Sequence, residues 1–168
     1  MPGGIATHLR AVTPADHPVL ARLRQDAALQ KLLLGARAPV AGDVADWLER
    51  RQAQGWLAAV AGAEGACLGY VQLGDIHHAN RTAWFGIALA PGARGQGHGA
   101  AATRLALEHA RDAMGLRKVK LAVRADNRAA RLYARLGFRH VGTLRAEYDA
   151  GDALHDVEVM EFLFGGGR

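Results

Sequence analysis

The chain has 168 residues, half of them hydrophobic and 22% charged, with 21 Lys+Arg against 16 Asp+Glu. That is an ordinary globular composition on one domain's length of chain, enough to bury a substantial core. No apolar run approaches the roughly 18 residues of a membrane span, and the first residues lack a basic stretch followed by an apolar one, so neither a membrane span nor a secretory signal is expected. Cys67 is the only cysteine, which excludes an internal disulfide and points to a reducing, cytoplasmic compartment. A formal charge of +5 and a sequence pI of 10.0 favour an anionic ligand and would also suit nucleic acid. The arginines are scattered along the chain, so a solvated surface is preferred over a dedicated nucleic-acid patch.

Thr7 to Thr13 alternates and reads as a first strand ending at Pro14. Thr13-Pro14-Ala15-Asp16 is a helix start, with a cap, a proline in the first turn and an acid near the N-terminus. Val19, Leu20, Leu23 and Ala27 supply one apolar face, which Leu29 to Leu34 continues less regularly before a loop from Gly35 to Gly42. Asp43 to Gln54 predicts a second helix, with Val44, Trp47 and Leu48 on one side. Trp56 to Ala61 and Cys67 to Asp75 are apolar runs joined by Gly62-Ala63-Glu64-Gly65, a hairpin signal. Ile76 to Arg81 is polar and carries His77 and His78. Adjacent residues on a strand point to opposite faces and no third ligand stands at a plausible spacing, so no metal site is expected.

The stretch from Trp84 to Ala100 organises the rest. Trp84 to Leu89 reads as a strand stopped by Pro91-Gly92, and Gly99 opens a helix whose apolar positions are Ala102, Leu105, Ala106, Ala110 and Ala113. Between them lie Gly95, Gly97 and Gly99 on alternate positions, with Arg94 just before. Glycine at a strand-to-helix turn allows positive φ and close approach of a ligand to main-chain N–H groups at the positive end of a helix. This is a cradle for a phosphate or pyrophosphate, to which Arg94 adds a cation that can reach two oxygens. A Walker loop would end in Gly-Lys-Ser/Thr, and here His98-Gly99 stands there. Gly95, Gly97 and Ala100 satisfy the loose dinucleotide pattern, but the next strand ends in Arg124 instead of an acid, and little chain follows to complete a doubly wound sheet.

Gly115 closes the helix, and Lys118 to Val123 alternates as a strand. Asp126 or Asn127 caps a short helix carrying Ala129, Leu132, Tyr133 and Leu136, with Gly137 at its end. Phe138 to Tyr148 and Ala153 to Phe164 form two last strands about Asp149 to Asp152.

Arg94-Gly95-Gln96-Gly97-His98-Gly99 matches the R/Q-x-x-G-x-G/A pyrophosphate loop of the GNAT superfamily of N-acetyltransferases. Asn127 to Phe138 resembles that family's N-x-x-A-x-x-L/Y-Y-x-x-x-G-F segment, at the family's spacing, and the two motifs together cover about half the chain. The resemblance implies an α+β fold: one domain over residues 1–164 with a flexible tail at 165–168. It has a mostly antiparallel sheet of about seven strands, splayed at the acetyl-CoA site and flanked by about four helices. It implies transfer of an acetyl group from acetyl-CoA to a primary amine by direct attack in a ternary complex. The cofactor-binding positions it implies are Ile87, Ala88, Leu89, Arg94, Gly95, Gln96, Gly97, His98, Gly99, Ala100, Asn127, Ala130 and Tyr133. Among these, the Leu89 N–H would face the thioester oxygen and Tyr133 would protonate the departing thiolate. By spacing alone Tyr133 is a core aromatic and Asn127 a helix cap.

The general base is open among Asp75, His77, His78 and water, histidine having the pKa suited to deprotonating an amine. Spermidine acetyltransferases, which the chain resembles from Gly69 onward, carry a glutamate at the position of Trp84. The closing segment from Leu144 to Met160 resembles amino-sugar-nucleotide N-acetyltransferases and ribosomal-protein N-terminal acetyltransferases. A small-molecule amine is the leading acceptor, a protein N-terminus the alternative, and a homodimer stays open. From other classes, a basic nucleic-acid-binding module and a non-catalytic acyl-CoA-binding protein remain as rivals.

Overall fold

A computed structural model describes residues 5–35 and 42–165. Seven strands form one sheet: β1 (His8–Arg10), β2 (Trp56–Ala61), β3 (Cys67–His77), β4 (Thr82–Leu89), β5 (Lys118–Arg124), β6 (Arg139–Asp149) and β7 (Leu154–Leu163). Their order is β1-β2-β3-β4-β5-β7-β6. Every neighbouring pair is antiparallel except β4 and β5. Among the described residues, five helices flank the sheet where about four were expected: α1 (His17–Gln25), α2 (Ala27–Leu32), α3 (Val44–Gln54), α4 (His98–Asp112) and α5 (Ala129–Arg135). The extra helix comes from Asp26, whose backbone turns extended (ψ 98°) and whose carboxylate accepts the Leu29 N–H at 3.0 Å. One interrupted apolar face thus becomes two helices, α1 and α2, each starting from its own cap.

The helices divide between the faces of the sheet. Ala102, Ala106 and Ala110 of α4 are fully buried against Val71, Leu73, Val119 and Leu121. Alanine on that stripe lets the helix axis come close to the strands, as ridge-and-groove packing requires. The opposite face is covered by Leu20 and Leu23 of α1 and Val44, Trp47 and Leu48 of α3, packed on Leu57, Tyr70 and Ala88. β3 runs two residues past its expected end, to His77, across a register shift between Gly74 and His77 where Asp75 adopts φ 46°. The loop expected over 35–42 and the glycine tail fall largely outside the described residues.

The site is positioned by how β4 meets β5. They pair only over Thr82–Trp84 and Lys118–Lys120, then part, while β5 continues along β7 as far as Arg124. Phe85 to Leu89 therefore has β3 on one side and a gap on the other. Beneath the gap lie Phe85, Tyr133 and Phe138, with ring centroids 5.8–6.5 Å apart. Among the described residues, no helix is long and apolar enough to cross a membrane.

Candidate active site

Strand pairing decides which backbone groups face the gap. The Ala90 N–H donates to the Leu68 carbonyl at 2.8 Å, in register with the pairs Tyr70↔Ala88 and Gln72↔Gly86. In an antiparallel ladder hydrogen-bonded and non-bonded pairs alternate, so Phe85, Ile87 and Leu89 turn their N–H and C=O groups away from β3. For Ile87 and Leu89 that direction is the gap, because β5 has left after the Trp84↔Lys120 pair. The Leu89 carbonyl takes a hydrogen bond there from Arg94 Nε at 3.0 Å.

A short 3-10 turn at Pro91–Ala93 leads from β4 into an exposed loop. Gly95 (φ 70°) and Gly97 (φ 91°, ψ −6°) occupy the left-handed region, and Gly97 is the N-cap of the 15-residue α4. The first helical bond runs from the Ala101 N–H to the Gly97 carbonyl at 3.1 Å. The N–H groups of His98, Gly99 and Ala100 precede it and have no partner within the helix, at its positive end. Two side chains of the motif are used locally. Gln96 donates to the Gly92 carbonyl at 2.6 Å, and the buried His98 ring sits 2.8 Å from Thr7 Oγ1. His98 thus offers a ligand its backbone and not its imidazole.

The gap's other wall is α5. A Cβ on Gly99 would lie 3.7 Å from both Leu132 and Leu89, so the ends of β4, α4 and α5 meet at one place. Asn127 Oδ1 accepts the Ala129 N–H at 3.0 Å from one residue before the N-cap position, which Arg128 occupies in place of the expected Asp126 or Asn127, and Asp126 pairs with Arg124 at 2.5 Å. Tyr133 is buried against Phe85, and burial pushes its phenol up to about 12. Its hydroxyl hydrogen-bonds to no protein group among the described residues. The phenol is therefore protonated at neutral pH and free to donate.

The base candidates separate. Asp75 lines a cavity of about 80 Å³ with Trp84, Phe85, Gln72 and Arg51, next to the point where β4 and β5 part. His77 and His78 are exposed at the turn before β4. Thr82, the strand partner of His77, is seven residues from Leu89, on the order of 23 Å along an extended strand. His77 Nδ1 accepts the Asn80 N–H at 3.1 Å and serves the turn.

Three features carried no sequence signal, because each depends on residues distant in the chain. Lys120 Nζ stands 4.7 Å from the centre of the Trp84 ring, a contact created by the β4–β5 register. At the end of β5, Asp126 lies between Arg124 and His155, whose Nδ1 is 3.8 Å away. The α2 arm is tied across this end, since Tyr148 donates to the Gly35 carbonyl at 2.9 Å.

Unpaired strand backbone, a left-handed glycine turn and a buried phenol therefore border one gap. The family model for the acetyltransferase (GNAT) domain matches residues 7–139, and the chain belongs to that family. It is 33% identical over 90 residues to a spermidine N(1)-acetyltransferase of Escherichia coli, covering 53% of this chain and 48% of that protein. It is 31% identical over 105 residues to one of Vibrio cholerae, covering 62% and 61%. The chain thus spans between about half and three fifths of the length of these curated relatives. A crystal structure of the Vibrio cholerae spermidine N-acetyltransferase in complex with CoA and spermine superposes with TM-score 0.86, covering 94% of this chain and 95% of that one at 24% identity.

Proposed function

We propose that this protein is an acetyl-CoA-dependent N-acetyltransferase acting on the primary amine of a small molecule. The observation that carries the reading is the pair of Ile87 and Leu89 N–H groups turned into the β4–β5 gap, with the α4 cradle at one end. Unsatisfied strand backbone invites an extended amide-bearing chain to complete the ladder, and the free N–H groups of α4 invite a pyrophosphate. Acetyl-CoA offers both, and supplies the acetyl group when bound.

The chain's own groups then have separate tasks. Gly95 to Ala100 hold phosphate oxygens through backbone N–H groups. The terminal nitrogens of Arg94 have no partner among the described residues and remain available to the same charge. Ile87 and Leu89 bind the pantetheine arm, and the Leu89 N–H donates to the thioester oxygen as negative charge grows on it. Tyr133 gives its proton to the departing sulfur. The attacking nitrogen must be neutral; its proton leaves through water, and Asp75, which lines the cavity beside Trp84 and Phe85, is the carboxylate proposed to take it up. The relatives' names make a polyamine the first acceptor to try. Lys120 over Trp84, where that branch has a glutamate, argues for an amino-sugar-nucleotide-like amine as the second.

Thermal melts with acetyl-CoA test the first half. Ligand at 100 times its Kd stabilises by about 2.7 kcal/mol. Amine-dependent release of CoA over polyamines, amino sugars and peptide N-termini tests the second. Absence of a shift at millimolar acetyl-CoA overturns the binding claim. A shift without turnover on any amine leaves a non-catalytic acyl-CoA-binding protein.

A further inference from the structure

On the opposite face of the sheet from α4, one charge is out of place. Arg24 of α1 is only 4% exposed, and its Nη2 is buried with no hydrogen-bond partner. Its guanidinium lies 5.2 Å from the Trp47 ring centre, and Nη1 makes one long bond, 3.3 Å, to the Gly42 carbonyl. No carboxylate pairs with it among the described residues. Asp43, the nearest acid, spends its side chain capping α3 through the Ala45 N–H at 3.1 Å. The positive charges felt at Arg24 are Arg50 and Arg51. A guanidinium keeps its proton at any physiological pH, so burying it unpaired among like charges is costly. Burial, then Arg50, lowers its affinity for that proton, and a bound anion would oppose both effects.

A second donor borders the same ring and is close enough for its ionisation to be felt at Arg24. Tyr70 packs edge-on to Trp47 with centroids 5.2 Å apart, and its hydroxyl likewise has no protein partner among the described residues. Burial raises its pKa, so it too offers a proton and not a charge. Tyr70 pairs with Ala88, the residue before Leu89, so this corner adjoins the gap where the amine must arrive. Arginine and a phenol with no acceptor between them call for a ligand oxygen.

Resting on the acetyltransferase reading above, we propose that Arg24 and Tyr70 form a subsite for an oxyanion, a carboxylate or phosphate, carried by the amine that is acetylated. The acceptor is then an anionic or zwitterionic amine, unlike the polycations named for the relatives. Arg24 is a specificity residue and takes no part in the chemistry.

The test uses Arg24→Met, which keeps the apolar stem under Trp47 and removes the charge. With CoA saturating the α4 cradle, inorganic phosphate and malonate are titrated while the melting temperature and tryptophan fluorescence are followed. The wild type is expected to show a saturable response that Arg24→Met loses. The unliganded variant should melt no lower than wild type, since an uncompensated charge has gone, whereas a purely structural arginine would lower it. In turnover, kcat/KM for glucosamine 6-phosphate should exceed that for glucosamine by about 10- to 100-fold. Arg24→Met should bring the ratio near one through KM for the phosphorylated amine alone. Equal use of both amines by wild type overturns the proposal, as do an anion response unchanged in the variant and an equal loss on both amines. An Arg24-dependent anion response without turnover of any amine keeps the subsite and overturns acetyl transfer instead.

Discussion

Tyr133 separates packing from chemistry on a single oxygen. Its ring contacts Phe85 and Phe138, while its hydroxyl bonds to no protein group among the described residues. Tyr133→Phe therefore leaves no orphaned partner, and the melting temperature should stay within about 1 °C, since intact packing changes stability little. If the hydroxyl protonates the leaving sulfur, kcat should fall by about 10²–10⁴-fold with acetyl-CoA affinity unchanged. A kcat within twofold of wild type, with chemistry limiting, removes it from the mechanism. Asp16 gives the opposite signature, stability without catalysis. Arg10 binds it at 2.7 and 2.8 Å, and the Thr13 N–H at 2.8 Å, holding the carboxyl down at about 2. A lowered folded-state pKa means the contribution is present above about pH 4 and lost as pH falls toward 2. Asp16→Asn should cost at most about 2 kcal/mol at pH 7, less where solvent screens Arg10, and the difference from wild type should vanish near pH 2 in urea melts.

At the scale of elements, two glycines differ in what an added side chain would meet. A Cβ on Gly69 would come within 2.0 Å of the Ala88 carbonyl oxygen, at φ 152°. Gly69→Ala must push β3 off β4 and should cost more than about 3 kcal/mol or prevent folding, as circular dichroism and melts would show. Gly97 differs, because a Cβ there meets only the Ile5 side chain at 3.4 Å. Gly97→Val strains the left-handed cap but leaves the core alone, so it should fold and bind acetyl-CoA at least 10-fold more weakly, on the order of 1.4 kcal/mol. Isothermal titration giving wild-type affinity would reduce the loop to a turn. These elements were legible in the sequence because their signals are local: apolar runs bounded by turn residues for β2 to β4, alternation for β5, and a glycine run before an alanine stripe for α4. The break at Asp26 was not, since the apolar spacing runs on through it and only the tertiary position of Leu29 selects the second helix. The cradle and Tyr133 carried a motif, but Lys120 over Trp84 and the unpaired Arg24 exist only once register and helix packing are set.

Over the whole molecule, the formal +5 is what remains after the acids have been counted, and part of the basic charge is already held in ion pairs. Arg10, Arg111, Lys118 and Arg124 each hold a carboxylate within 2.7 Å, which neutralises them locally. What distinguishes the molecule is the seam. β1 to β4 form one half of the sheet and β5 to β7 the other, and the ladder joining them is three residue pairs long. Beyond it the halves are held by α4 and by the rings of Phe85, Tyr133 and Phe138 under the gap. A ligand that completes the ladder should stiffen this seam, and amide exchange reads it residue by residue. Without ligand, the amides of Ile87 and Leu89 should exchange fast, having no strand partner, while that of Ala88, facing Tyr70, should exchange slowly. Saturating CoA should slow Ile87 and Leu89 by about 10-fold or more and leave Ala88 nearly unchanged. The alternation is the discriminating feature, because a general stabilisation by ligand would slow all three together. Uniform slowing, or none at Ile87 and Leu89 with CoA bound, would mean that the arm does not lie along β4 and that the gap serves another purpose.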